Sequence, residues 1–164
     1  MKNIRLLIAD DNPQNLQFLS NSLSDDFCIV ATVNDGKALI AAAVALDPHI
    51  IITDLPTRTG LIAIRQLEAL IPDIKIIVLT DQEDPEFAAA TIGAGASAVL
   101  IKEGPDLCGK IKAIVRDLLT SHSEEFTGEA IAYKNNRAWI GKGVTSPALF
   151  FAPPGGSEED MPYS

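Results

Sequence analysis

Asp10, Asp11, Asp54, Thr80 and Lys102 are the residues of this chain whose types and spacing could do chemistry together. Each ends or follows a short apolar run: Ile4-Arg5-Leu6-Leu7-Ile8 leads to Asp10 and Asp11, Ile50-Ile51-Ile52 to Asp54, Ile76-Ile77-Val78-Leu79 to Thr80, and Ala98-Val99-Leu100-Ile101 to Lys102. Strands of one parallel sheet point their carboxyl ends the same way, so the five residues are expected to converge in the crevice where such sheets bind ligands. Three carboxylates cannot share a small volume unaided, because unit charges about 4 Å apart repel by about 4 kcal/mol at an effective dielectric near 20. A divalent cation is the natural counter-charge.

The elements that must position these residues are legible in the alternation of short β-branched runs with longer Ala/Leu-rich segments of helical period between residue 3 and about residue 119. Strands are expected near 4–9, 28–33, 49–53, 75–79 and 97–101, and helices over roughly 13–24, 36–46, 60–70, 84–93 and 106–119. Pro13 suits the first position of a helix, with Asn12 as its cap, a role Asp11 could also take; Asp35 and Asp84 begin the second and fourth helices. Gly93-Ala94-Gly95-Ala96 stops the fourth. Strands that are apolar on both faces predict a sheet covered by helices on both sides.

Composition bounds the function. The chain has 164 residues, 47 % of them hydrophobic, enough for one domain with a tail, and a formal net charge of −9 without a basic patch. Nucleic acids and anionic membranes are held by Lys and Arg, so direct binding to either is not expected. Cys28 and Cys108 lack metal-ligand spacing and sit in apolar segments, which reads as two buried thiols of a reducing compartment. With neither a signal-peptide pattern at Met1-Lys2-Asn3-Ile4 nor an apolar stretch long enough to cross a bilayer, a soluble cytoplasmic protein is expected. His49 and His122 look unconnected to the acidic cluster. Beyond Thr120 the texture turns polar, and Pro153-Pro154-Gly155-Gly156 followed by Ser157-Glu158-Glu159-Asp160 is expected to be disordered. The stretch between, with Tyr133, Trp139, Phe150 and Phe151, is open between a hairpin and packing on the domain.

Taken together, the acidic pair after the first strand, Asp54 after the third, Thr80 after the fourth and Lys102 after the fifth resemble the receiver domain of two-component response regulators. The phrases Asp47-Pro48-His49-Ile50-Ile51-Ile52-Thr53-Asp54 and Gly95-Ala96-Ser97-Ala98-Val99-Leu100-Ile101-Lys102 support the resemblance, which covers residues 3–119 and leaves 120–164 as a partly disordered C-terminal extension. It implies a flavodoxin-like, doubly wound α/β fold: a five-stranded parallel sheet in the order 2-1-3-4-5 with five helices, the crevice lying at the first and third strands. It implies that Asp54 is the phosphoacceptor for a phosphohistidine on a sensor histidine kinase or phosphotransfer protein. Asp10, Asp11 and Asp54 would hold Mg²⁺, with the Pro56 backbone carbonyl as a further ligand. Lys102 would pair first with Asp54 and then with a phosphoryl oxygen, and the Thr80 hydroxyl would bond another. The protein would be a signalling domain and not a conventional enzyme, regulating an output protein, with homodimers allowed.

The chain departs from the family pattern in three places. Asp54-Leu55-Pro56-Thr57-Arg58-Thr59-Gly60 reaches its loop glycine two residues sooner than the family does. Val99 stands where the family carries Tyr or Phe, and Asp81 stands where it prefers a small residue. A pseudo-receiver that binds partners without phosphorylation is the alternative these departures suggest. Two other classes fit less well: the 45 residues after 119 lack the three helical periods of a DNA-binding unit, and Asp10-Asp11-Asn12-Pro13 would repel the phosphate of a flavin.

Overall fold

The computed structural model describes residues 3–55, 57–81, 84–102, 106–120, 130–134 and 137–141. Strands β1 (Arg5–Asp10), β2 (Cys28–Val33), β3 (Ile50–Asp54), β4 (Lys75–Thr80) and β5 (Ala98–Ile101) alternate with helices α1 (Pro13–Leu23), α2 (Gly36–Leu46), α3 (Thr57–Leu70), α4 (Pro85–Ala94) and α5 (Leu107–Thr120), and β6 (Ala130–Lys134) and β7 (Arg137–Gly141) follow. The sheet order is β2-β1-β3-β4-β5-β7-β6. Its first five strands are all parallel, in the order that the family resemblance implies.

Local chemistry sets the boundaries. The Asn12 side chain accepts hydrogen bonds from the amides of Gln14 and Asn15, Asp35 accepts from Ala38, and Asp84 accepts from Glu86, so each short polar side chain satisfies amides that a helix start leaves open. α4 ends on Gly95 at φ +135°, where a Cβ would lie 2.9 Å from that of Glu68. Only glycine fits that turn without strain.

Two apolar layers hold the sheet. On one face Leu7, Ile51, Ile76 and Val99 pack against Leu39 of α2, Ile64 and Leu67 of α3 and Ile92 of α4; on the other Leu6, Ile8, Ile50, Ile52 and Leu100 pack against Leu19 and Leu23 of α1 and Ile111, Ile114 and Val115 of α5. Burial of each such Leu or Ile stabilises the fold by about 1.5–3 kcal/mol. This double cover explains why β1, β3, β4 and β5 are hydrophobic on both faces, and it fixes the strand ends that carry the polar residues.

Three expectations change. Cys28 is exposed and Cys108 half-buried, both free thiols, instead of two buried ones. Cys28 opens β2, which among the described residues is an edge strand paired with β1, so an apolar neighbourhood in sequence does not become a covered one in space. α3 begins at Thr57 and not near 60, so Gly60 lies in its first turn instead of in a loop. A Cβ at Gly60 would sit 3.4 Å from the Leu55 carbonyl oxygen, an ordinary contact, so the helix start there does not depend on glycine. The sheet also has two more strands than the five expected: β6 and β7 form an antiparallel hairpin, and β7 adds to β5 in parallel with Ala98 opposite Ala138, Val99 opposite Trp139 and Leu100 opposite Ile140. The expected disorder of 153–160, His122 and Pro56 lie outside the described residues.

Candidate functional site

Asp10 and Asp54 are the last residues of β1 and β3 and are direct partners in the parallel ladder. Neighbouring strands run about 4.8 Å apart. The register therefore sets the two carboxylates side by side at the carboxyl edge of the sheet. Asp10 is buried, 2 % exposed, and its Oδ1 accepts a hydrogen bond from the Asn12 amide at 2.9 Å. Asp11, the next residue, is exposed.

Lys102 follows the end of β5 and reaches across β4 to Asp54. Its Nζ donates to Asp54 Oδ2 as a hydrogen-bonded ion pair, the two side chains being 27 % and 18 % exposed. Its own amide donates to the Thr80 carbonyl oxygen at 2.7 Å, which ties the lysine to the end of β4. Thr80 closes that strand and is buried, 7 % exposed. Of the five residues singled out in the sequence, Asp10, Asp54, Lys102 and Thr80 thus meet at one edge, with Asp11 at its solvent side. Pro56 is outside the described residues. His49 lies elsewhere: exposed at the opposite end of β3, its Nδ1 accepts from the Arg5 amide at 2.9 Å.

The electrostatics follow from this placement. Burial pushes the Asp10 carboxyl up, the Asp54 charge adds to the rise, and the Asn12 amide, the Lys102 charge and Asn15 pull it back only in part, so it stays above the ordinary carboxylate value. Burial pushes the Lys102 ammonium down, but the bond to Asp54 and the charges of Asp54, Asp10 and Asp81 outweigh it, so its pKa is raised. The contribution of Lys102 to folding is therefore fully present below the ordinary lysine pKa and is lost as pH rises through the raised value. For Asp10 the raised value means that its favourable contribution is complete below the ordinary carboxylate pKa and is lost as pH rises past the folded one. At neutral pH the buried charge is a liability. Asp10→Asn is expected to stabilise the fold by about 1 kcal/mol at pH 7, with the gap closing toward pH 4; urea unfolding at the two pH values checks this, and an unchanged or lower stability at pH 7 contradicts it.

The same acids are suited to a hard cation. Among the described residues no three His, Cys, Asp or Glu side chains are close enough to enclose an ion by themselves. Asp10, Asp11 and Asp54 therefore do not form a three-carboxylate cage. Mg²⁺ does not need one, since it is held by one or two carboxylates and keeps several waters. The side-by-side pair of Asp10 and Asp54, with Asp11 at the solvent side, fits that donor set.

Thr53 is a buried polar residue beside the site that was not singled out from the sequence. Thr53, between Ile52 and Asp54, is 2 % exposed, and its Oγ1 is a buried polar atom without a hydrogen-bond partner among the described residues. A single Thr ending an isoleucine run is the signal that could have found it.

Comparison with known proteins agrees with this geometry. The model of the response regulator receiver domain family matches residues 6–115. The oxygen regulatory protein NreC of Staphylococcus epidermidis is 32 % identical over 108 residues, covering 63 % of this chain and 50 % of its own length. The transcriptional regulatory protein RcsB of Escherichia coli K12 is 28 % identical over 141 residues, 80 % of this chain and 62 % of its own. The chain thus spans little more than half the length of the curated relatives it matches. Among solved structures, the receiver domain of RcsB from Salmonella enterica serovar Typhimurium, in the presence of the phosphomimetic BeF3⁻, superposes with TM-score 0.61 at 29 % identity over 70 % of this chain and 89 % of that one. The non-phosphorylated receiver domain of Escherichia coli RcsB gives 0.66 at 26 %, over 74 % and 96 %. With a parallel sheet in the order 2-1-3-4-5, acids at the ends of its first and third strands and a lysine after its fifth, this chain belongs to the response regulator receiver domain family of two-component signalling.

Proposed function

We propose that the chain accepts a phosphoryl group on Asp54 from a phosphohistidine of a sensor histidine kinase or phosphotransfer protein. The observation that carries this reading is the Lys102–Asp54 ion pair beside the buried Asp10. An Asp54 oxygen attacks phosphorus, the P–N bond to the histidine breaks, and an acyl phosphate is left on Asp54. Mg²⁺, when bound, would supply the positive charge that the acid pair and the incoming phosphoryl group both lack. Asp10 and Asp54 would hold it, with Asp11 acting through water. Lys102 leaves its bond to Asp54 for a phosphoryl oxygen, and the Thr80 hydroxyl donates to another. Both act as fixed, preorganised partners, which is the larger part of catalysis in phosphoryl transfer. The amino end of α3 begins three residues after Asp54 and adds a partial positive charge suited to the incoming dianion.

Phosphate then regulates an output protein by favouring a conformation with better contacts to Thr80 and Lys102. The protein acts in the cytoplasm, where such kinases present their phosphohistidines; among the described residues no helix is long and apolar enough to cross a membrane. DNA belongs outside this proposal: a structure of RcsB dimers bound to DNA exists, but this chain covers 61 % of that protein, and its own net charge is −9. Residues 3–119 form the receiver and the remainder is an extension. A chain ended after residue 120 should still unfold in one cooperative transition, since β1–β5 and α1–α5 supply both apolar layers described above; loss of that transition would show the hairpin to be part of the fold.

The pseudo-receiver reading has two observations in its favour, the early start of α3 at Thr57 and the fully buried Val99 in place of a mobile ring. Beryllofluoride, an acyl-phosphate mimic, separates the two. Titrated in the presence of Mg²⁺, it should give a saturable change in Trp139 fluorescence and a bound ¹⁹F resonance. Absence of any bound resonance would favour the pseudo-receiver.

A further inference from the structure

Thr53 occupies a row of the sheet in which its ladder partners, Ala9 on β1 and Val78 on β4, are apolar, as is Val99 opposite Val78 on β5. A valine would match that row in shape without the hydroxyl. The Thr53 side chain borders a cavity of about 10 Å³ between β3, α3 and α4, lined also by Leu55, Ile64, Val78, Phe87 and Thr91. Thr91 is fully buried, and its hydroxyl donates to the Phe87 carbonyl oxygen at 2.7 Å, which leaves its lone pairs able to accept. A cavity of that size holds one water, provided it offers two or more polar partners. The Thr53 and Thr91 hydroxyls are two such groups in an otherwise apolar lining.

We propose that a single buried water joins Thr53 Oγ1 to Thr91 Oγ1, binding the residue next to Asp54 to the middle of α4. The water accepts from the Thr53 hydroxyl and donates to the Thr91 oxygen. Through it, α4 follows any movement at the end of β3, and this second half of the inference rests on the reading of Asp54 as phosphoacceptor.

The test compares the full chain with Thr53→Val, which keeps the shape and removes the donor, and Thr53→Ser, which keeps the donor. Water-to-protein cross-relaxation by NMR, without any phosphate mimic, should show a long-lived water at Thr53 and Thr91 in wild type and in Thr53→Ser, and none in Thr53→Val. A wild-type protein without that water overturns the inference whatever happens at Asp54. With Mg²⁺ and beryllofluoride, hydrogen exchange at the α4 amides should respond at least threefold less in Thr53→Val than in wild type, while the bound ¹⁹F resonance stays and Thr53→Ser restores the response. An equal α4 response in wild type and Thr53→Val overturns the coupling. Failure of wild type to bind beryllofluoride overturns the phosphoacceptor reading, and the water signal still decides the site.

Discussion

Asp54→Asn is expected to abolish phosphoryl acceptance, lowering label incorporated from a small phosphodonor more than a hundredfold. An amide oxygen is a poor nucleophile and cannot leave an acyl phosphate. The remaining acids do not substitute: Asp10 is 2 % exposed with one oxygen already accepting from the Asn12 amide, and Asp11 is exposed, away from the Lys102 ammonium that pairs with Asp54. The label on wild type should be removed by hydroxylamine, as befits an acyl phosphate. Hydroxylamine-labile label persisting on Asp54→Asn at the wild-type level would place the acceptor elsewhere.

Lys102→Ala is expected to destabilise the fold by about 2 kcal/mol at pH 7, below the 3–5 kcal/mol typical of breaking a fully buried pair, because both partners keep some contact with water. The substitution removes the cation that pairs with Asp54 and lowers the Asp10 pKa, leaving two carboxylates adjacent in the ladder. The Asp10 carboxyl then rises further. The loss should be largest above the carboxylate range and shrink as pH falls and Asp10 takes up a proton. Millimolar Mg²⁺ should restore part of the stability, since a divalent ion replaces the missing charge and binds the folded state alone. Urea unfolding at pH 7 and pH 4, with and without Mg²⁺, measures all three effects. A Lys102→Ala variant as stable as wild type at pH 7 would mean that the acids do not burden one another.

Much of this site was legible in the sequence because its residues end strands whose neighbours are uniformly apolar. Ile50-Ile51-Ile52 can only be covered on both faces, so the first charged residue after it, Asp54, must mark the sheet edge, and the same holds for Asp10, Thr80 and Lys102. Asn12, Asp35 and Asp84 announced helix starts through side chains that bond nearby amides, a local signal that needs no tertiary knowledge. What the sequence left hidden depends on neighbours distant in the chain. Cys28 reads as apolar until β2 is seen to be an edge. Gly60 reads as a loop breaker until α3 is seen to start at Thr57. Thr53 reads as a strand residue until the cavity beside α4 is found. The hairpin of β6 and β7 was one of two readings left open, and its addition to the sheet lay beyond local pattern because that pairing spans 40 residues, from Ala98 to Ala138.

The measurement that bears most directly on the account is intact mass after incubation with a small phosphodonor, with Mg²⁺ and then with the ion chelated. The acid pair beside Lys102 predicts a gain of about 80 Da, the mass of one phosphoryl group, with Mg²⁺ and little without it. An unchanged mass under both conditions, from protein that is folded and monodisperse, would contradict the claim that Asp10, Asp54 and Lys102 form a phosphoacceptor site.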